Sequence, residues 1–257
     1  MPAVFLVSDT HFGHAGVCRF TLDDGVTKLR PWTDPVEMDE EMIRRWNETV
    51  RPNDKVYHLG DVVINRKALK TLSRLNGDKV LIRGNHDIFR DDEYRMYFRE
   101  LRAYHVMNGM ILSHIPVHEE SLGRFGTNIH GHLHANRVKK PRGYDVRTGT
   151  MLYSDEIDPR YHCVCVEQTD FRPILFEDVI KNIEAEGGEV GYRWRRFGDR
   201  RVGLHRGAAV DRTRTRMAGL GLCRAGLRRR RDRRVRQIRG MVGPQRRHAR
   251  RRRRQPR

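Results

Sequence analysis

The sequence predicts a layered α/β domain carrying an arginine-rich C-terminal tail. Three observations predict it. Apolar runs of strand length alternate with helical patterns in the order strand, helix, strand, helix, strand across residues 3–82. The strands end in glycine and polar residues, as buried strands do when they feed loops at a sheet edge. The charge pattern breaks near residue 193, where arginine takes over.

Residues 3–7 are a β-branched and aromatic run, read as a buried first strand ending in Ser8-Asp9-Thr10-His11-Phe12-Gly13-His14. In extended backbone, Asp9 and His11 project to one side. Residues 15–33 read as loop. A helix follows, with Asp34 as N-cap, Pro35 in the first position and Glu37 completing a capping box. Met42, Ile43, Trp46 and Val50 form its apolar face, and Arg51-Pro52-Asn53 ends it. The second strand, 55–59, leads into Gly60-Asp61. A short helix over 66–75 buries Ala68, Leu69, Leu72 and Leu75, and Asn76-Gly77 stops it.

The third strand, 80–82, delivers Arg83-Gly84-Asn85-His86-Asp87. Three polar side chains in a row at a buried strand's end suit cation binding and proton handling. A turn in which Asn85 and Asp87 bond their own backbone is the other reading. Residues 88–105 are expected as a helix over the sheet, with Tyr94, Tyr97 and Phe98 in the core. Strand 110–113 delivers His114, and residues 127–129 lead into His130-Gly131-His132-Leu133-His134. Residues 136–154 read as loop, with Pro141-Arg142-Gly143 as a turn. Strand 161–166 carries Cys163 and Cys165 as packed thiols. A short extended piece (173–176) and a last helix (177–186) follow, ended by Gly187-Gly188.

The formal charge of +19 over 257 residues suggests a nucleic-acid binder until its distribution is considered. Residues 193–257 hold 26 arginines, no lysine and three acids, a net of +23. Residues 1–192 have 26 basic and 30 acidic side chains and are an ordinary, slightly acidic globular sequence. Four cysteines without a C-x-x-C pair point to a reducing compartment. The first residues lack a basic region and their apolar run is too short for a signal peptide, and no run approaches the roughly 20 apolar residues of a membrane span. The expectation is a soluble, cytoplasmic protein.

Asp9, His11, Asp61, Asn85, His86, His114, His132 and His134 all fall at strand ends. They offer oxygen and imidazole nitrogen without thiolate, a donor set suited to Zn, Mn, Fe, Co or Ni. Without His86 they are seven ligands, too many for one tetrahedral ion and suited to two ions sharing a carboxylate. In order, D-x-H, G-D, G-N-H-D, a lone His and G-H-x-H resemble the calcineurin-like metallophosphoesterase superfamily, in its small bacterial and phage form, over residues 4–180.

That resemblance implies a four-layer α/β/β/α sandwich. Asp9, His11 and His134 would hold one divalent ion, Asp61 would bridge to a second, and Asn85, His114 and His132 would complete the second site. His86 would be the proton donor, oriented by Asp87. The implied reaction is hydrolysis of a phosphate ester, diester or monoester, by a metal-bridging hydroxide. His14 and Arg83 are candidate substrate contacts, while His58 and His130 suit support or core roles. Selectivity is expected in loops 15–33, 88–105 and 136–160.

The domain is therefore expected over 1–192, and the tail over 193–257 is expected to be disordered. As a basic arm the tail would bind nucleic acid with steep salt dependence, making the protein a nuclease or a non-catalytic nucleic-acid binder. Alternatively it has no evolved role, since arginine without lysine is what a GC-rich frame yields when translation leaves the true frame.

Overall fold

The computed structural model describes residues 2–192, and the arginine-rich segment lies outside the described residues. In chain order the strands are β1 (Val4–Val7), β2 (Lys55–His58), β3 (Asp78–Ile82), β4 (Glu100–Arg102), β5 (His105–Met107), β6 (Met110–Ser113), β7 (Asn128–His130), β8 (Lys139–Asp145), β9 (Thr150–Ile157), β10 (Tyr161–Cys163) and β11 (Ile174–Leu175). The helices are α1 (Pro35–Thr49), α2 (Asp91–Tyr94) and α3 (Phe176–Ala185), with short 3₁₀ turns between elements.

Two sheets stack face to face. The first runs β11-β1-β2-β3-β4, parallel from β1 to β4 with β11 antiparallel at its edge. The second runs β10-β7-β6-β5, with only β5 antiparallel. Side chains on the first sheet alternate between two cores, as the two-residue strand repeat requires. Phe5, Val7, Val56 and Leu81 face Met38, Met42, Ile43 and Trp46 of α1 and Leu69 and Leu72 of the 3₁₀ segment Arg66–Arg74. Leu6, Tyr57, Val80 and Ile82 face Met110, Leu112 and Ile129 of the second sheet, joined by Phe176, Val179 and Ile183 of α3. Burial on both faces explains why these strands read as unbroken apolar runs. Each fully buried Leu, Ile or Val contributes about 1.5–3 kcal/mol, so the inter-sheet core fixes how the strand ends of the two sheets face each other. The outer layer over the second sheet is thin: Ile111, Leu122 and Tyr161 form a small third cluster there.

Several elements differ from expectation. The Asp34 carboxylate caps α1 by accepting from Val36 N at 3.0 Å, but Glu37 makes no reciprocal bond. Residues 66–74 wind as 3₁₀ rather than α. Asn65, capping that segment from Ala68 N, also donates to Gly13 O, which ties the segment to the first motif.

Residues 88–105 do not form one helix. Tyr94 and Phe98 reach the core, as expected, from the single turn of α2 and the bend after it. The chain then pairs 100–102 in parallel with 80–82. The open edge of β3 supplies backbone partners that a lone helix could not, and tertiary pairing overrides the helical spacing.

Residues 136–154 are not loop but most of a hairpin. β8 and β9 pair antiparallel, with irregular register at Pro141 and Gly143 where a turn was expected. Tyr144, Val146, Met151, Leu152 and Tyr153 are all exposed. No buried face imposes the apolar alternation that betrays a strand in sequence.

Residues 189–192 return to the domain: Thr127 Oγ1 donates to Glu189 O at 2.8 Å, and Tyr192 bridges to Phe125. Among the described residues no helix is long and apolar enough to cross a membrane.

Candidate metal centre

The strand ends of both sheets meet at one edge, where the backbone ladder between β1 and β2 continues past the strands. Asp9 N donates to Gly60 O at 3.0 Å and His11 N to Asp61 O at 3.0 Å, so the first two motifs stay zipped as they turn. The turns are tight. Asp9, His11, Asp61, His132 and His134 all have positive φ, between 49° and 70°. This left-handed region is unfavourable for most residues and concentrates where function demands it. Asp9 and His11 therefore converge through a left-handed turn rather than as same-side residues of an extended strand.

Glycines let the motifs approach. A Cβ on Gly131 would overlap Ser8 Oγ and Asp9 Oδ2, and one on Gly84 would overlap the Asp61 carboxylate. Each would push a ligand-bearing loop away from its neighbour.

Two groups of side chains result. Asp9, His11 and His134 present one ligating atom each, all within 4.8 Å of one another. Asp61, His114 and His132 form the second group to the same limit. Asn85 joins the second, its Oδ1 lying 2.9 Å from His114 Nε2. Asp61 stands between them, with Oδ2 3.7 Å from His11 Nε2 and 3.5 Å from His114 Nε2. All seven predicted ligands are thus brought together.

The donor set fits divalent ions by its own chemistry. Asp9 Oδ2 accepts from Ser8 Oγ at 2.5 Å, His132 N at 2.8 Å and Cys165 Sγ at 3.2 Å. Its Oδ1 is buried and has no hydrogen-bond partner. One oxygen is fixed by three donors and the other lies 3.7 Å from His11 Nε2. Uncompensated, such an atom is costly.

Burial opposes ionisation of Asp9, but the neighbouring His11 and His114 imidazoles outweigh burial and hold its carboxyl below the usual range. Asp61 is lowered in the same way, its burial outweighed first by His114. His114 in turn is raised despite its burial, mainly by Asp61. His132 is lowered, first by burial and then by His114. Both carboxylates thus carry their charge at neutral pH, as cation ligands must.

Other expected residues fall elsewhere. His86 is exposed at the rim with its ring 5.7 Å from that of His11, and its amide donates to Asp61 Oδ1 at 2.9 Å. Asp87 does not orient the His86 ring. Its carboxylate is buried and accepts from the amides of Asp61 (2.9 Å), Val62 (3.0 Å) and Gly84 (2.8 Å). It fastens the second motif to the third, and only its bond from Gly84 N is the local backbone bond that the other reading of this stretch expected.

Arg83 is not aimed at the centre: it pairs with Asp91 at 2.6 Å, donates to Phe89 O and Asp87 O and lies over Tyr94. His14 does lie at the centre, 5.6 Å from the His11 ring, and burial holds it down to about 4.

Sequence reasoning missed Arg30, Asp39 and Glu167. Asp39 of α1 accepts from Gly13 N at 2.9 and 3.0 Å, anchoring the first motif. Arg30 is fully buried and donates to Asp9 O at 2.6 Å and Thr10 O at 2.9 Å, while pairing with Glu167 at 2.7 Å. The only signals were ordinary charged residues in a loop, on a helix and after a strand.

His58 and His130 play the supporting role expected. His58, between Trp46 and Phe98, shares a bond with Thr10 Oγ1 at 3.0 Å, and His130 Nδ1 with Gly131 O at 2.8 Å. Burial lowers His58 to about 3 and His130 to about 4. Both fall below the ordinary 6.5, so the unfolded chain takes up their protons first and stability is lost as pH falls below that value. At pH 5 each histidine should contribute roughly 2 kcal/mol of destabilisation relative to neutral pH. Urea unfolding of the metal-free protein at pH 7 and pH 5 checks this. His58→Gln should shrink the difference between the two midpoints, and an undiminished difference would refute the role of His58.

Residues 3–184 match the family described as calcineurin-like phosphoesterase. An uncharacterized protein of Methanocaldococcus jannaschii is 34% identical over 188 residues, covering 72% of this chain and 93% of that protein. Among solved structures, a protein of unknown function from Aquifex aeolicus is similar at 24% identity and TM-score 0.49, covering 71% of this chain and all of that one. A structure described as a novel archaeal phosphodiesterase is similar at 16% identity and TM-score 0.32, covering 59% of this chain and 98% of that one.

Proposed function

Because the chain belongs to the calcineurin-like phosphoesterase family, we propose that it hydrolyses a phosphate ester using two divalent cations held side by side. Asp9, His11 and His134 hold one; Asp61, Asn85, His114 and His132 hold the other, with Asp61 shared. The observation that carries this reading is the position of Asp61 Oδ2, which faces an imidazole of each group at 3.7 and 3.5 Å. Two such cations, when bound, supply Lewis-acid charge for phosphoryl oxygens and acidify water into the neutral range.

The chain's own residues do the rest. Asp9 offers Oδ1 while three donors hold Oδ2, which keeps the carboxylate from rotating away. His86, exposed at the rim, gives a proton to the departing oxygen of the ester. Its backbone amide, bonded to Asp61, fixes where that ring enters relative to the shared carboxylate. His14, its ring 5.6 Å from that of His11, is a further imidazole that would contact the substrate phosphate.

The test is a panel of phosphomonoesters and phosphodiesters assayed with Mn, Ni, Fe, Co and Zn, beside elemental analysis. We expect hydrolysis that chelation abolishes and added ions restore, with two ions bound per chain at saturation. Undiminished hydrolysis by the chelated protein would overturn the proposal.

A further inference from the structure

We propose that Glu167 and Arg30 form a buried positioning pair that selectively builds the first of the two metal groups. This rests on the reading that Asp9, His11 and His134 hold one ion. Glu167 Oε1 accepts from Arg30 Nε at 2.8 Å and bonds His134 Nδ1 at 3.0 Å, and it lies 2.7 Å from Arg30 Nη2 as an ion pair. The side chains are sealed, with Arg30 at 0% and Glu167 at 2% exposure.

The bond from His134 settles the geometry of its ring. With the Nδ1 proton donated to a carboxylate, the lone pair is left on Nε2, directed at Asp9 and His11. An imidazole supported in this way is oriented and made more basic, and removing the support typically weakens metal affinity 10–100-fold. Arg30 carries the effect to the other side of the group. While paired with Glu167, it holds the carbonyl oxygens of Asp9 and Thr10, the backbone of the left-handed turn that aims Asp9. One ion pair thus fixes a ring contributed by the second sheet's loop and a carboxylate contributed by the first.

The second group lacks such a device among the described residues. His114 Nδ1 meets the neutral carbonyl of Leu59 at 2.8 Å. The pair is neutral as a unit, so what it supplies is direction rather than a field felt equally by both ions. Removing the Glu167 charge should therefore act chiefly on the first group, through the lost support of His134, while the unpaired Arg30 charge that remains acts more weakly on the second.

The experiment is Mn²⁺ titration of chelated protein by calorimetry in two backgrounds. His132→Ala keeps the first group whole and disables the second; His11→Ala does the reverse. Adding Glu167→Gln, which keeps shape and an acceptor oxygen, should weaken binding 10–100-fold in the His132→Ala protein and by a much smaller factor in the His11→Ala protein. Equal weakening in both backgrounds, or in neither, overturns the proposal. A His132→Ala protein that binds no ion overturns the metal-site reading and this proposal with it.

Nitrogen-15 NMR of the His134 ring in the unaltered, chelated protein gives a measurement that no variant's folding can spoil. The expected form carries its proton on Nδ1. A neutral ring protonated on Nε2 is incompatible with the role assigned to Glu167.

Discussion

Asp61→Asn is expected to reduce turnover to background and to strip ions from both groups rather than one. Asparagine preserves the shape and the Oδ1 acceptor for His86 N, and it tolerates the positive φ of 57° at this position. What it removes is the negative charge that faces His11 and His114 together. Elemental analysis beside steady-state kinetics reads both effects. A variant that retains full turnover on an activated phosphodiester would end the two-ion reading. Loss of one ion with the other held at native affinity would remove Asp61 from the shared position.

His86→Gln should behave differently. Ion content should match the unaltered protein, because His86 belongs to neither group of clustered ligand atoms. Turnover on an alkyl ester should fall by about 10²–10⁴, the usual contribution of a positioned general acid. With a 4-nitrophenyl ester, whose departing oxygen needs little protonation, the deficit should nearly vanish. The same loss on both substrates would assign His86 to binding and leave the proton to another group.

The ligands were legible because they stand at or just past the ends of apolar runs, where a buried strand does not otherwise need polar side chains, and because Asp61, Asn85 and His132 directly follow glycine. Their order identified the family before any geometry was known. The groups that aim them were not legible, and the reason is physical. Arg30 and Glu167 lie 137 positions apart, and nothing local to either betrays burial. Charged side chains in loops are normally solvated, so only the tertiary fold reveals that these two are sealed beneath the first motif. Asp87 was misjudged for a related reason: its neighbour in sequence is His86, but its bonds run to amides of another loop. The hairpin β8–β9 escaped notice because cross-strand pairs such as Lys139–Asp155 and Lys140–Glu156, rather than an apolar face, mark its register.

Each group of ligands draws on both sheets: Asp9 and His11 meet His134 across the seam, as Asp61 meets His114 and His132. A cation seated in either group is therefore a rivet through the two halves of the domain. Heat or urea that prises the sheets apart must shear both rivets, so unfolding and ion release should share one midpoint, and that midpoint should climb with the logarithm of cation concentration. The candidate metal centre would then double as the fastening of the domain that carries it.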